Sequence, residues 1–165
     1  LEIPQPCRLG MRRFLSSVSS GQHGGLAAYR PGERPSPAMT AEALVCRAFL
    51  GIDRDNPAID EAAAMILQEA PGTGRTNLYF WYYATIALYH LQDGHWDRWN
   101  SALQRELLHS QKPSGNLAGS WDPNTVWGGY GGRVYSTALA TLCLEVYYRY
   151  LPLYGPTRTA WFPAR

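Results

Sequence analysis

The chain has 165 residues, of which 45% are hydrophobic and 17% are charged, and its net charge is +2 at pH 7. This length allows one domain with a hydrophobic core, and the six Trp and eleven Tyr predict an interior rich in aromatic side chains. The net charge is too small to indicate binding to nucleic acid or to an anionic membrane, and three cysteines without CxxC spacing exclude a disulfide framework.

Three helices are predicted in the N-terminal part of the chain. The run from Met11 to Val18 places apolar residues at helical spacing. Ser36-Pro37 and Asn56-Pro57 each combine an N-cap residue with a first-turn proline, which predicts the starts of the second and third helices. The segment Gly25–Tyr29 is the one place where a brief strand pairing is expected.

Three further helices are predicted over Asn77–Leu91, His95–His109 and Val134–Tyr150. The middle one is amphipathic, whereas the other two carry almost no charge and are apolar on every side. A helix of that kind must be covered all round, so Asn77–Leu91 and Val134–Tyr150 are expected to be more buried than His95–His109 and to form an inner layer.

Two kinds of internal similarity indicate a helical repeat. The segment Ser20–Tyr29 is similar to Ser110–Trp121, and each follows an amphipathic helix. Short strings that begin with Thr40, Thr85 and Thr137 are also alike, and they are 45 (40 to 85) and 52 (85 to 137) residues apart. Repeats of this length predict stacked helical hairpins that share one core.

The segment from Gln111 to Gly119-Ser120-Trp121 resembles the QW repeat of squalene–hopene-type terpene cyclases, and Gln22 to Tyr29 resembles a weaker copy. Tyr79–Tyr150 is similar to bacterial proteins described as prenyltransferase/squalene oxidase repeats. The resemblance implies an all-α fold of about six helices, half of an α/α toroid, in a single domain over residues 1–165 with an extended tail over 151–165. It also implies structural roles for Gln22, Tyr29, Gln111 and Trp121.

The catalytic motifs of these families are not found in the sequence. The string nearest to the cyclase DxDD motif is Asp53-Arg54-Asp55-Asn56, in which Asn56 is better explained as an N-cap. The stretches Arg75–Trp81 and Arg133–Thr137, where a prenyltransferase would carry zinc ligands, contain none of the Asp, Cys and His ligands. No Cys-Gly-Glu-Gln thioester string and no DDxxD pair occur. The sequence therefore predicts no catalytic residue, no metal and no cofactor.

One group of residues keeps a binding function open. In toroid domains the N-terminal ends of the inner helices and their glycine-rich entries form the rim of a central cavity. Arg133 at such a helix start would face an anion, or alternatively would pair with Asp122 while the aromatic side chains simply pack. The candidate rim consists of Tyr79, Trp81, Tyr82, Trp127, Tyr130, Arg133 and Tyr135.

Two functions follow from these expectations. The first is a non-catalytic repeat module that binds a partner protein or peptide; the second is the N-terminal part of a cyclase- or prenyltransferase-like enzyme whose catalytic residues lie outside this chain. The chain starts at Leu1 without a Met, which predicts a segment excised from a larger protein. The expected partners are the rest of that protein, another protein or a second copy, with a small hydrophobic ligand as a further candidate and without nucleic acid or membrane.

Overall fold

The computed structural model describes residues 3–153, and these are mostly helical. Six helices are present in this range, which confirms the predicted all-α fold: α1 (Gln5–Val18), α2 (Pro37–Phe49), α3 (Pro57–Gln68), α4 (Leu78–Leu91), α5 (Gly94–Ser110) and α6 (Gly128–Arg149). Residues 154–165 of the predicted tail lie outside the described residues, and 151–153 are not helical. The toroid arrangement stays a prediction.

The chain separates into two compact units, Leu1–Gln68 and Glu69–Arg165. The single-domain expectation is not tested by this division.

In the first unit, α2 packs against α3, and a two-stranded antiparallel ribbon packs on both. The ribbon pairs β1 (Ser19–Ser20) with β2 (Leu26–Ala27), as expected from the Gly25–Tyr29 segment. The helix starts follow from the predicted caps, since Ser36 Oγ accepts a bond from the Met39 N–H at 3.3 Å and Asn56 Oδ1 accepts one from the Ala58 N–H at 3.0 Å.

The turn between β1 and β2 is held by the carboxylate of Glu61 on α3. This carboxylate accepts the backbone N–H groups of Gln22 at 2.6 Å, His23 at 3.1 Å and Gly25 at 2.7 Å. Desolvation alone would raise the pKa of Glu61, but the three backbone bonds outweigh it and lower the pKa. The backbone of Gln22 therefore serves the structure of this turn, while the side chain of Tyr29 is exposed.

In the second unit, α4 is the central helix and packs against both α5 and α6. Eleven residues of α4 are buried, whereas α5 buries only Trp99, Leu103 and Leu107 along one face. The expectation that Asn77–Leu91 is more buried than His95–His109 is confirmed.

The expectation that the last helix is covered on every side is wrong. α6 buries one stripe, formed after the bend by Ser136, Ala140, Cys143 and Val146. On its other sides Val134 is 82% exposed and Tyr148 is 80% exposed. The physical reason is that α4 is the main neighbour of α6 within this unit, and one neighbouring helix can cover only one face.

The start of the last helix also differs from the prediction. α6 begins at Gly128, not at Val134, and its first turn is interrupted at Gly132, which has φ 66° and ψ −166°. The glycines before the break form a helical turn, and Gly132 makes the bend at which the main helix starts.

The repeated threonines have a shared structural role that the sequence similarity did not specify. Each hydroxyl oxygen accepts a hydrogen bond from an N–H group of a segment packed against its own helix. The three pairs are Ala27 N to Thr40 at 3.0 Å, Trp99 Nε1 to Thr85 at 2.9 Å and Trp121 N to Thr137 at 3.2 Å. These side chains join α2, α4 and α6 to neighbouring segments. The helical repeat itself stays a prediction.

Candidate functional site

The turn between α5 and α6 is a closed, hydrogen-bonded loop. Gln111 Nε2 donates to the Gly119 carbonyl at 3.0 Å, and the backbones of Lys112 and Gly119–Ser120 exchange two bonds of 2.9 and 2.8 Å. Trp121 is buried, and its indole Nε1 donates to the Leu107 carbonyl at 2.8 Å. The turn is therefore pinned to the end of α5, and it positions the chain that leads into α6.

An ion-pair network stands beside this turn. Arg133, the first residue after the bend in α6, pairs with Asp122 and also donates to Ser120 Oγ at 3.1 Å. Lys112 Nζ lies 2.6 Å from the other carboxylate oxygen of Asp122. The hydrogen bond from Lys112 and then that from Arg133 lower the pKa of Asp122. Of the two alternatives left open for Arg133, the structure shows the pairing with Asp122.

The start of α6 exposes two aromatic side chains, which we call the aromatic pair, Trp127 and Tyr130. Trp127 is 49% exposed and Tyr130 is 92% exposed, and their ring centroids are 6.3 Å apart. Tyr135 is instead half-buried and lies against Gly131, where no Cβ separates the ring from the backbone. The structure thus brings two of the candidate rim residues together at the surface.

The candidate rim residues of α4 belong to different surroundings. Trp81 is buried in the core. Tyr79 and Tyr82 both pack edge-on against Tyr83, with centroid distances of 5.0 and 5.3 Å. Burial, together with a 3.4 Å contact between the Tyr82 and Tyr150 hydroxyls, raises the pKa of Tyr82 to about 12. Tyr79 therefore packs within α4, and Tyr82 also contacts Tyr150 at the end of α6.

One backbone bond connects the segments that lead into α4 and α6. The Val126 N–H donates to the Thr76 carbonyl at 2.9 Å, so the two helix entries lie side by side. The aromatic pair follows directly after this bond.

The acidic string Asp53-Arg54-Asp55-Asn56 has local structural contacts. Asp53 Oδ1 accepts the Asp55 N–H at 3.2 Å, and Arg54 pairs with Asp60 at 3.3 Å. Within residues 3–153, no group of three or more His, Cys, Asp and Glu side chains is placed to hold a metal ion.

A membrane-spanning helix must be both long and apolar. None of the described helices, over residues 3–153, has the length and apolar character to cross a bilayer.

Two cavities lie in the first unit, and sequence reasoning predicted neither. One is apolar, has a volume of about 240 Å³ and is lined by Met11, Phe14 and Leu15 of α1 and Met39, Ala43 and Cys46 of α2, among others. The other is a cleft of about 520 Å³ with a mixed polar and apolar lining that contains Arg12 and Arg47. The available signal was Arg47, a charged residue in the mostly apolar helix α2, because such a residue must have a polar partner if it is buried.

The chain was compared with protein-family models, with curated proteins and with solved structures, and none of the three comparisons found a match.

Proposed function

We propose that this chain is a non-catalytic helical module that binds a partner protein or peptide through the aromatic pair, Trp127 and Tyr130. The observation that carries the proposal is that these two large side chains lie next to each other and remain 49% and 92% exposed. Tyr and Trp are the residues most enriched in the energetic centres of protein interfaces, so an adjacent exposed pair is a suitable anchor.

Tyr130 contributes little to the fold, because it buries almost none of its surface. Trp127, at the N-cap position of α6, is half-buried and makes no side-chain capping bond. The exposed parts of both rings are therefore available to a binding partner, which supports the proposal.

The backbone under the aromatic pair is held from both sides. The Val126–Thr76 bond precedes the pair, and the Arg133–Asp122–Lys112 network follows it. A rigid anchor loses less conformational entropy on binding than a mobile one, so this support favours recognition.

The test is selection of binding peptides on the immobilised chain, followed by affinity measurement with two double variants. Trp127→Ala with Tyr130→Ala removes the pair, and Tyr29→Ala with Tyr148→Ala is the control because it removes two other exposed tyrosines. We expect the first variant to weaken binding about 30-fold or more, since loss of one hot-spot residue costs roughly 2 kcal/mol, and we expect the control to bind like the parent chain.

Circular dichroism must show that both variants are folded. Failure to select any peptide above background, or equal affinity in the two variants, would contradict the proposal.

A further inference from the structure

The cleft of the first unit that contains Arg12 and Arg47 has a mixed polar and apolar lining. It lies where the second half of α1, the β1–β2 turn, α2 and the start of α3 meet, and its volume is about 520 Å³. This volume is within the range of roughly 300–1,000 Å³ that small-molecule sites occupy. Its polar side chains are cationic or neutral, and no carboxylate is among the lining residues that the structure describes: Arg12, Ser16, Ser19, His23, Arg47 and Asn56.

Arg47 is the most unusual member of this lining because it is buried. Its side chain belongs to a residue that is only 9% exposed, and its guanidinium donates to the Gly25 carbonyl at 2.6 Å and to Ser19 Oγ at 2.7 Å. Both acceptors are neutral, and no ion pair of Arg47 occurs among residues 3–153. Burying a charge without an opposite charge costs free energy, which a bound anion would offset.

Burial lowers the pKa of the Arg47 guanidinium. The negative charge of Glu61 acts in the opposite direction and offsets part of this effect. The two oxygens of this carboxylate are engaged by the backbone N–H groups of Gln22, His23 and Gly25. Glu61 thus holds the turn of the ribbon, and the Arg47 guanidinium is left with donors that these contacts do not use.

Arg12 supplies a second guanidinium from α1. One of its nitrogens donates to the Leu50 carbonyl at 2.8 Å, which orients the group at the cleft and again leaves N–H donors unused. Two guanidinium groups with the Ser16 hydroxyl nearby match the charge and the oxygen geometry of a phosphate better than those of a single carboxylate. The start of α3 at the same cleft adds the positive end of a helix dipole.

We propose that this cleft binds the phosphate group of a small soluble phosphomonoester, with Arg12 and Arg47 as its cationic donors. Ser16 supplies a neighbouring hydroxyl, and Ser19, whose own proton is donated to the Leu15 carbonyl, orients the Arg47 guanidinium. The site lies entirely in the first unit and does not depend on the proposed peptide-binding function, which concerns residues of the second.

The experiment is titration of the folded chain with methyl phosphate, and separately with acetate, followed by calorimetry and by the backbone amide signals of Ser19, His23 and Asn56. Arg12→Gln is the test variant and Arg13→Gln is its matched control, because Arg13 is adjacent and exposed, loses the same charge and is not a lining residue. Neither substitution removes a buried side chain.

We expect methyl phosphate to bind with a Kd of about 1 mM or lower and to shift the three amide signals. Arg12→Gln should weaken this binding about tenfold, as expected for loss of one charge-assisted hydrogen bond, while Arg13→Gln stays within about twofold of the parent chain. Acetate should bind at least about tenfold more weakly than methyl phosphate.

Three results would each overturn the proposal. The first is no saturable binding of methyl phosphate up to roughly 10 mM. The second is an equal loss of affinity in the Arg12→Gln and Arg13→Gln variants, which would show unspecific attraction to a basic surface. The third is acetate binding as tight as that of methyl phosphate.

Discussion

Replacing Gly132 with alanine tests the account of how α6 begins. The backbone at this position has φ 66° and ψ −166°, a region that is open to glycine and strained for every residue with a Cβ. The cost of holding an alanine there is roughly 1–3 kcal/mol, and the alternative, relaxation of the bend, would disturb the Arg133–Asp122 pair. Gly128 is constrained in another way, since a Cβ there would overlap the backbone oxygen of Pro123.

Gly129 provides the matched control within the same turn. A Cβ at this position would meet no atom within 4 Å, and its φ is not positive. Because alanine has a higher helix propensity, Gly129→Ala should change the free energy of unfolding by about 0 to 1 kcal/mol in the stabilising direction.

Thermal unfolding followed by circular dichroism separates these outcomes. For a chain of this length about 1 kcal/mol corresponds to roughly 2–4 °C, so Gly132→Ala should lower Tm by about 2–12 °C, and Gly129→Ala should leave it unchanged or raise it by up to about 4 °C. A Gly132→Ala variant that melts at or above the Tm of the parent chain would refute the reasoning, as would an equal loss in both variants.

Three further predictions concern the second unit. Trp121→Phe should lose the bond to the Leu107 carbonyl and lower the free energy of unfolding, measured in urea, by about 1–3 kcal/mol. Trp127→Phe at the surface should change this free energy by no more than about 0.5 kcal/mol. Equal effects of the two substitutions would contradict the structural role of Trp121. Thr85→Val should cost about 1–3 kcal/mol because the buried Trp99 indole loses its acceptor, while Thr85→Ser should retain most of the stability; a neutral Thr85→Val would count against this bond. Burial lowers the pKa of His90 from 6.5 to about 4. As the pH falls, the imidazole is therefore protonated in the unfolded chain before it is protonated in the folded chain. The stability that is present above pH 6.5 should decrease by up to ~3 kcal/mol as the pH falls to about 4. Urea unfolding between pH 5 and 6.5, where carboxylates contribute little, measures this slope, and an unchanged slope in His90→Gln would argue against His90 as its source.

Local features of the sequence were sufficient to place most of the helices. Ser36, Asn56 and Asn77 act as side-chain caps at the starts of α2, α3 and α4, because a cap needs only a short polar side chain and an N–H group two or three residues later. The three threonines of the similar strings lie on α2, α4 and α6, and their bonding partners were not foreseen.

The candidate site could be predicted only in part. Trp127 and Tyr130 were named from their place at the glycine-rich entry, and the structure brings them together, but Trp81 was named for the same reason and is buried in the core. Sequence spacing indicates which residues share a helix face, and it does not indicate whether another helix covers that face.

The sequence by itself determined the helical class, the starts of α2, α3 and α4, and the central position of the charge-free helix α4, since these depend on caps and on periodicity within one segment. The tertiary structure alone decided that α6 is covered on one face, that Arg133 pairs with Asp122, and that Arg12 and Arg47 meet in one cleft. The physical reason is the range of the interactions. Capping and propensity act over a few residues, whereas burial and charge pairing depend on groups such as Arg12 and Arg47 that are distant along the chain and adjacent only after folding.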